Sequence, residues 1–454
     1  MKPYLVYFTA CFALLVTGVS SSAVTVAFPV ITSDLQTNLV LAGWILSIGQ
    51  LVTIITMPLG GKFADTYGRK FTFQVCMVTF VVGSALCAVA PNIYWLIGAR
   101  FIQSIALGAL LPLVTAIAAD EFPLSRMRAI GFVSSVFPVG AIIGPNIGGW
   151  LVTAYGWRSI FWINVPLGAL AFIAAWLLLR SGEKAEAQLD VVGAGLLGGS
   201  LSALMLGISG IGNSKITESR LVLAGLVVAG LILMLFFLRR ESRVKSPIID
   251  LAIIRNKAFV VVNLFQFVLG VAVFGVLSFV PLYAVTVYGM STQESGFVLT
   301  ARSVGMMLGT TITSTFMHTW GYRLPILLGT FGAILSIVLL GLEISGLSVL
   351  GLTLGSISWL MIVLGVSGLS TGSLTPASNN AALELMPDRV ATITGTRGMF
   401  RQIGGVVGIT LTTVLLSNAG DMSHGFTIVL FGVAGVMLLS VPLIMMMPSG
   451  RKAG

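Results

Sequence analysis

The chain has 454 residues, of which 56% are hydrophobic and only 9% charged, with a mean hydropathy of +1.03. Soluble domains carry about 25% charged residues, so a soluble protein is excluded; the apolar runs are continuous rather than alternating, which excludes a membrane β-barrel. The net charge of +10 fits Lys and Arg that hold cytoplasmic loops in place better than a nucleic-acid surface.

Fourteen apolar segments are long enough to cross a bilayer as helices. They lie near 7–29, 40–60, 71–90, 93–117, 130–153, 160–180, 191–211, 219–239, 258–284, 295–317, 324–343, 348–372, 392–417 and 424–447. Lys2 and the Ser20–Ala23 stretch give the first segment the look of a signal peptide. The apolar run continues to Pro29, however, and its removal would leave an odd number of spans, so a first span is expected. With both termini inside, all but five of the 25 Lys and Arg fall in or beside cytoplasmic segments. Arg158, Lys215 and Arg220 fall outside; Arg100 and Arg302 fall within spans. This asymmetry predicts an all-α polytopic protein of the inner (plasma) membrane with cytoplasmic termini.

Between the second and third segments runs Gly61-Lys-Phe-Ala-Asp65-Thr-Tyr-Gly68-Arg69-Lys70. Gly61 and Gly68 are expected to allow a tight turn and close helix approach. Asp65 can pair with Arg69 or meet the positive end of a helix. Ser314–Arg323 repeats the pattern in degenerate form 253 residues on, with His318 where Asp65 stands. A duplication follows, which predicts residues 1–180 and 258–454 as two six-helix bundles. Residues 181–257 are then a linker carrying two accessory spans. Parallel repeats of this kind mark transporters.

Arg100 in the fourth segment, followed by Gln103 and Ser104, is costly inside a membrane unless it finds partners or water. Arg302 in the tenth segment is similar, with snorkelling to the outer face as the other reading. Gly140, Gly144 and Gly148 stand four apart on one face of the fifth segment, beside Pro145, Asn146 and Gly149. Such a face admits another helix backbone, and Pro145 can bend the helix. A seal at the interface between the halves is expected there. Asn263 and Gln266 share a face of the ninth segment and serve either interhelical hydrogen bonding or substrate contact. The acids sit in loops or at helix ends, with Asp34, Glu343 and the Asp120-Glu121 pair nearest to membrane depth. Cys11, Cys76 and Cys87 lie in apolar runs as packing residues. No metal, phosphate-loop or nucleophile motif is present, so neither an enzyme nor a cofactor is expected.

The Gly61–Lys70 stretch resembles the cytoplasmic signature of the major facilitator superfamily. Gly140–Gly149 resembles the antiporter motif of its drug exporters. Arg100-Phe-Ile-Gln103-Ser104 is similar to the family's Arg-x-x-Gln-Gly element, with Ser104 in place of glycine. Trp157-Arg158-Ser-Ile-Phe-Trp-Ile-Asn164-Val-Pro166-Leu-Gly168 resembles a loop of the fourteen-helix drug/proton antiporter branch. The resemblance implies two bundles around a central cavity, alternating access, and a Gly61–Lys70 latch. It implies proton-coupled export of small lipophilic compounds by a monomer. One departure stands out: the branch's helix-one Asp is replaced by Ser20, ahead of Val26-Ala27-Phe28-Pro29. A preference for neutral or anionic over cationic substrates is therefore expected. A lipid or fatty-acid exporter, with Arg100 or Arg302 receiving an anionic head group, and a non-transporting sensor of the same fold are the alternatives.

Overall fold

The computed structural model describes residues 2–180, 190–211, 220–244, 247–248, 256–344, 347–349, 352–385 and 390–448. Lys215 and most of the expected charged segment 181–190 lie outside the described residues, as does part of 239–257. The described residues group into two compact units, within Met1–Ile211 plus Thr217–Ile248 and within Ile249–Gly454.

The first unit runs α1 (Lys2–Asp34), α2 (Leu39–Tyr67), α3 (Arg69–Ala88), α4 (Ile93–Glu121) and α5 (Arg126–Tyr155). A sixth span follows in two pieces, α6 (Ser159–Trp162) and α7 (Asn164–Leu178), and then α8 (Val191–Ile211) and α9 (Arg220–Glu241). In the second unit are α10 (Lys257–Gly270), α11 (Val280–Thr286), α12 (Thr292–Trp320), α13 (Arg323–Gly341), α14 (Ser356–Leu385), α15 (Val390–Asn418), α16 (Met422–Leu439) and α17 (Val441–Met445). Twelve spans among the described residues are long and apolar enough to cross a membrane. To these α5 and α12 add helices of 30 and 29 residues, so the fourteen-span map holds.

Three expectations are refined. First, the accessory pair expected in the linker between the bundles clusters with the first unit. A Cβ at Gly198 of α8 would lie 2.5 Å from Ile55 of α2, and Gly207, Gly210 and Gly230 seat α8 directly on α9. Second, the helix expected from residue 348 begins at Ser356; before it, Leu347–Val349 pairs antiparallel with Leu352–Leu354. Ser348, Val349, Gly351 and Thr353 are poorer helix formers than the leucines among them, and Val349 and Thr353 are β-branched residues suited to strands. Third, the ninth span is not one regular helix. Between α10 and α11 it passes through a π turn, Val271–Val276, and a 3₁₀ turn, Leu277–Phe279.

Glycine seams clasp the helices in both units. In the first, the α5 glycines meet α1: a Cβ at Gly140 would lie 2.8 Å from the Leu15 carbonyl oxygen, and one at Gly148 2.8 Å from the Ala23 methyl. In the second, α15 meets the ninth span in the same way, with Gly404 against the Phe267 carbonyl and Gly408 against Gly275. The first and fifth spans of each unit thus form corresponding seams. With lipid on all sides, such backbone contact supplies the packing that hydrophobic burial supplies in water.

Candidate functional site

The Gly61–Lys70 stretch is less a loop than two helix ends. α2 continues to Tyr67 and α3 starts at Arg69. The whole turn is made by Gly68, at φ 91°, a conformation that only glycine adopts without strain. Gly61, expected to turn or to admit a neighbour, is inside α2 with nothing within 4 Å of a Cβ built on it. The second copy uses the same device. Gly321 closes α12 at φ 69°, and its N–H donates to Met317 as that of Gly68 donates to Ala64, at 2.9 and 3.0 Å.

Arg69 bridges two carboxylates. Its Nη1 lies 2.8 Å from Asp65 and its Nε 2.7 Å from Asp120 of α4. The first partner is visible in the sequence as an i,i+4 pair. The second depends on how α4 ends beside α3 and is not. Lys70 donates to the Trp176 carbonyl at 2.7 Å, and Lys62 to the Pro247 carbonyl at 3.3 Å. The carboxylates are half exposed, so the ion pairs contribute roughly 0–1 kcal/mol each to stability. Asp65→Asn should therefore leave insertion and thermal stability near normal. Export is expected to fall at least tenfold if the cluster is the latch that the family resemblance implies. Normal export by a correctly inserted Asp65→Asn protein would show that the cluster sets topology only.

Arg100 is buried in the first unit. Its Nη1 donates to Gln103 Oε1 at 2.6 Å, and Gln103 Nε2 donates on to Ser84 of α3 at 2.7 Å. Its Nη2 borders Gly49 of α2, where a Cβ would lie 3.2 Å away. Among the described residues it forms no ion pair. Arg302 is partly buried, about ten residues into α12, so it stands nearer mid-span than a snorkelling position requires.

The Trp157–Gly168 segment anchors the end of α5 to α1. Asp34 accepts from Trp157 Nε1 at 2.8 Å and from Arg158 at 2.9 Å, and Arg158 also reaches the Ala90 carbonyl at 3.1 Å. The Arg158 guanidinium lies 4.3 Å from the Trp157 ring centre. Buried Ser20 accepts from Asn164 Nδ2 at 2.8 Å. The position that replaces the branch's helix-one acid is thus tied to the same segment. Gly144 and Pro145 are buried, and Gly144 faces Val19 and Ser22 of α1. The glycine face, expected between the halves, packs inside the first unit. Pro145, Gly149 and Asn146 lie along the same helix, where Asn146 Nδ2 donates to Ile142 at 3.4 Å.

In the second unit, Asn263 and Gln266 are buried on α10. Asn263 Nδ2 donates to Phe259 within its own helix, while Gln266 Nε2 donates to Ser378 of α14 at 3.0 Å. Two further carboxylates are buried at helix ends, Asp190, paired with Arg240 at 2.9 Å, and Glu241. No group of His, Cys, Asp or Glu that could hold a metal ion occurs among the described residues.

Residues 10–346 match the sequence profile of the Major Facilitator Superfamily. The multidrug transporter protein MdtP of Bacillus subtilis is 29% identical over 418 residues, covering 90% of this chain and 75% of the relative. A multidrug resistance protein B homolog of Mycobacterium tuberculosis is 28% identical over 88% of this chain and 73% of its own. The tetracenomycin C resistance and export protein of Streptomyces glaucescens is 27% identical over 93% and 77%. Among solved structures, a POT family transporter in complex with 5-aminolevulinic acid superposes with a TM-score of 0.70 over 96% of this chain and 94% of that one, at 17% identity. The nucleoside transporter NupG gives 0.67 over 98% of each chain at 14% identity. At such identity the structural likeness speaks to the fold. The two-unit, multi-span architecture, the Gly68 turn with its Arg69 bridge and the profile match together place the chain in the major facilitator superfamily, a family of membrane transporters rather than enzymes.

Proposed function

We propose that this protein exports small hydrophobic or amphiphilic, drug-like compounds from the cytoplasm by proton antiport. One observation carries the reading: relatives with multidrug or antibiotic-export names align over about nine tenths of the chain. The Arg69 bridge and the α1–α5 glycine seam, both within the residues 10–346 that match the family profile, support it. The charge asymmetry of the loops supports an inner-membrane protein with both termini in the cytoplasm and extended apolar surface against lipid. The coupling acid is not the helix-one residue of the branch, since Ser20 stands there. Among the described carboxylates, the candidates are those at span ends, Asp34, Asp190, Glu241 and Glu343.

The test is transport in proteoliposomes with an acidic lumen and an alkaline exterior. Molecules oriented with the cytoplasmic side outward should concentrate a fluorescent drug in the lumen, and a protonophore should abolish this. Uptake that is insensitive to the gradient would remove the proton from the mechanism. No uptake across a chemically varied drug panel would remove export itself.

A further inference from the structure

The second unit holds a cluster of positive charge outside the family motifs. Arg397 and Arg401 stand about 10 and 16 Å along α15 from Val390, at about 1.5 Å per residue. Four apart, they share one face. Arg397 is buried; its Nη1 donates to Asn379 and its Nη2 to Ser378 at 2.9 Å, both on α14. Ser378 is the same hydroxyl that accepts from Gln266 of α10. The Arg401 guanidinium lies 5.7 Å from the ring centre of Phe274, in the π turn. Three elements thus converge on the two guanidinium groups.

The cluster is incomplete in one respect. The Nε of Arg397 and the Nε of Arg401 are both buried with no hydrogen-bond partner. Among the described residues neither arginine forms an ion pair. Glu384, further along α14, is engaged with Tyr322. Two uncompensated guanidinium groups on one helix face are expensive in a membrane protein and mark function by default. The backbone around them is fixed: a Cβ at Gly270 would lie 2.0 Å from the Arg401 carbonyl oxygen, and one at Gly404 2.1 Å from that of Phe267. The Arg397 guanidinium is further held by its two bonds to α14, so its unused N–H is in place before any ligand arrives, which is the arrangement that favours tight capture. Ionised acceptors make the strongest partners for guanidinium N–H, and a cationic ligand would be repelled. Gln266, which shares Ser378 with Arg397, keeps a buried Oε1 acceptor without a partner, free to receive a hydroxyl or N–H of the same ligand.

We propose that Arg397 and Arg401 form a binding site for an oxyanion, a carboxylate or phosphate, carried by an amphiphilic ligand. This deepens the export reading and rests on it only in taking that ligand to be cargo. The same chemistry could come from an anionic lipid head group, and the experiment separates the two sources.

Binding to the purified full-length protein in phosphatidylcholine nanodiscs would be measured with three probes that share a ring: 1-pyrenebutyrate, 1-pyrenebutanol and pyrenebutyltrimethylammonium. The unmodified protein should prefer the carboxylate. R397Q and R401Q should each weaken it by roughly tenfold or more, the loss expected for a charged hydrogen bond, and leave the alcohol unchanged. R401Q keeps the Arg397 bonds to α14, so the test does not depend on R397Q folding. Equal weakening of all three probes, or an unchanged carboxylate, would overturn the site. Gradient-driven uptake of pyrenebutyrate in proteoliposomes identifies the ligand as cargo. Arginine-dependent binding without uptake, displaced by phosphatidylglycerol, identifies a lipid head group and upholds the site while leaving export to be judged on the drug panel.

Discussion

Alanine at Gly144 is expected to abolish export and to depress the yield of folded protein severalfold, whereas alanine at Gly61 should leave both unchanged. The two glycines look equivalent in the sequence, since both belong to recognised motifs. Their surroundings differ. A Cβ at Gly144 would lie 1.9 Å from Ser22 Oγ and 2.6 Å from the Val19 carbonyl oxygen, whereas at Gly61 nothing lies within 4 Å. Ser22 can rotate away, but the Val19 carbonyl belongs to the α1 backbone. The helices must therefore separate, and overpacking of this kind costs about 1–3 kcal/mol or more. The seam runs through Gly140 and Gly148 as well, so a shift at its centre loosens the whole α1–α5 contact. Ser22→Ala combined with Gly144→Ala should not rescue, because it removes the first clash and not the second. Fluorescence-detected size exclusion and transport assays decide this; a fully active Gly144→Ala protein would mean that α1 and α5 are less closely apposed.

The second large effect concerns Arg100. Arg100→Met is expected to lose export while keeping, or raising, the thermal midpoint of the purified protein. Removing the guanidinium leaves Gln103 Oε1 without its donor at 2.6 Å, at a cost of about 1–3 kcal/mol. It also removes a buried charge that has no ion pair among the described residues, and the desolvation penalty for such a charge is several kcal/mol. The second term is the larger, so stability should not fall. A residue that destabilises its own fold is retained for what it does, and loss of transport in a stable protein would show this. A strong fall in the midpoint would instead mark Arg100 as part of the packing between α2, α3 and α4.

The architecture was legible because a bilayer imposes a length on apolar runs and the positive loops fix their direction. Helix ends were less so. α2 outran its apolar stretch through Lys62 and Asp65, which sit at the membrane edge where a charged helical turn is solvated. Residues 347–354 read as apolar helix by hydropathy alone, since hydropathy does not separate a short strand from a span. At the site, residues four apart on one helix could be paired from the sequence, as with Asp65 and Arg69 or the three α5 glycines. Partners from different helices could not. Asp120 for Arg69, Asn164 for Ser20 and Ser378 for Gln266 all depend on helix rotations that the chain order does not encode. Arg397 and Arg401 follow a loop closely in the chain, as cytoplasmic basic residues do. Their position within the 392–417 segment was the available signal that they lie inside a span.

The α8–α9 hairpin has a bearing on how such a chain came about. Its two helices seal against each other through Gly207, Gly210 and Gly230, while the outer side of α9 leaves Leu221, Val222, Leu231 and Leu235 uncovered. The hairpin closes on itself through these glycines, and it meets α2 at Gly198 against Ile55, while just past its end Lys62 of α2 donates to the Pro247 carbonyl. A helix pair closed on itself in this way is a unit that a gene can gain in a single insertion event. The same independence makes it a natural place for an engineer to fuse a reporter or remove a segment.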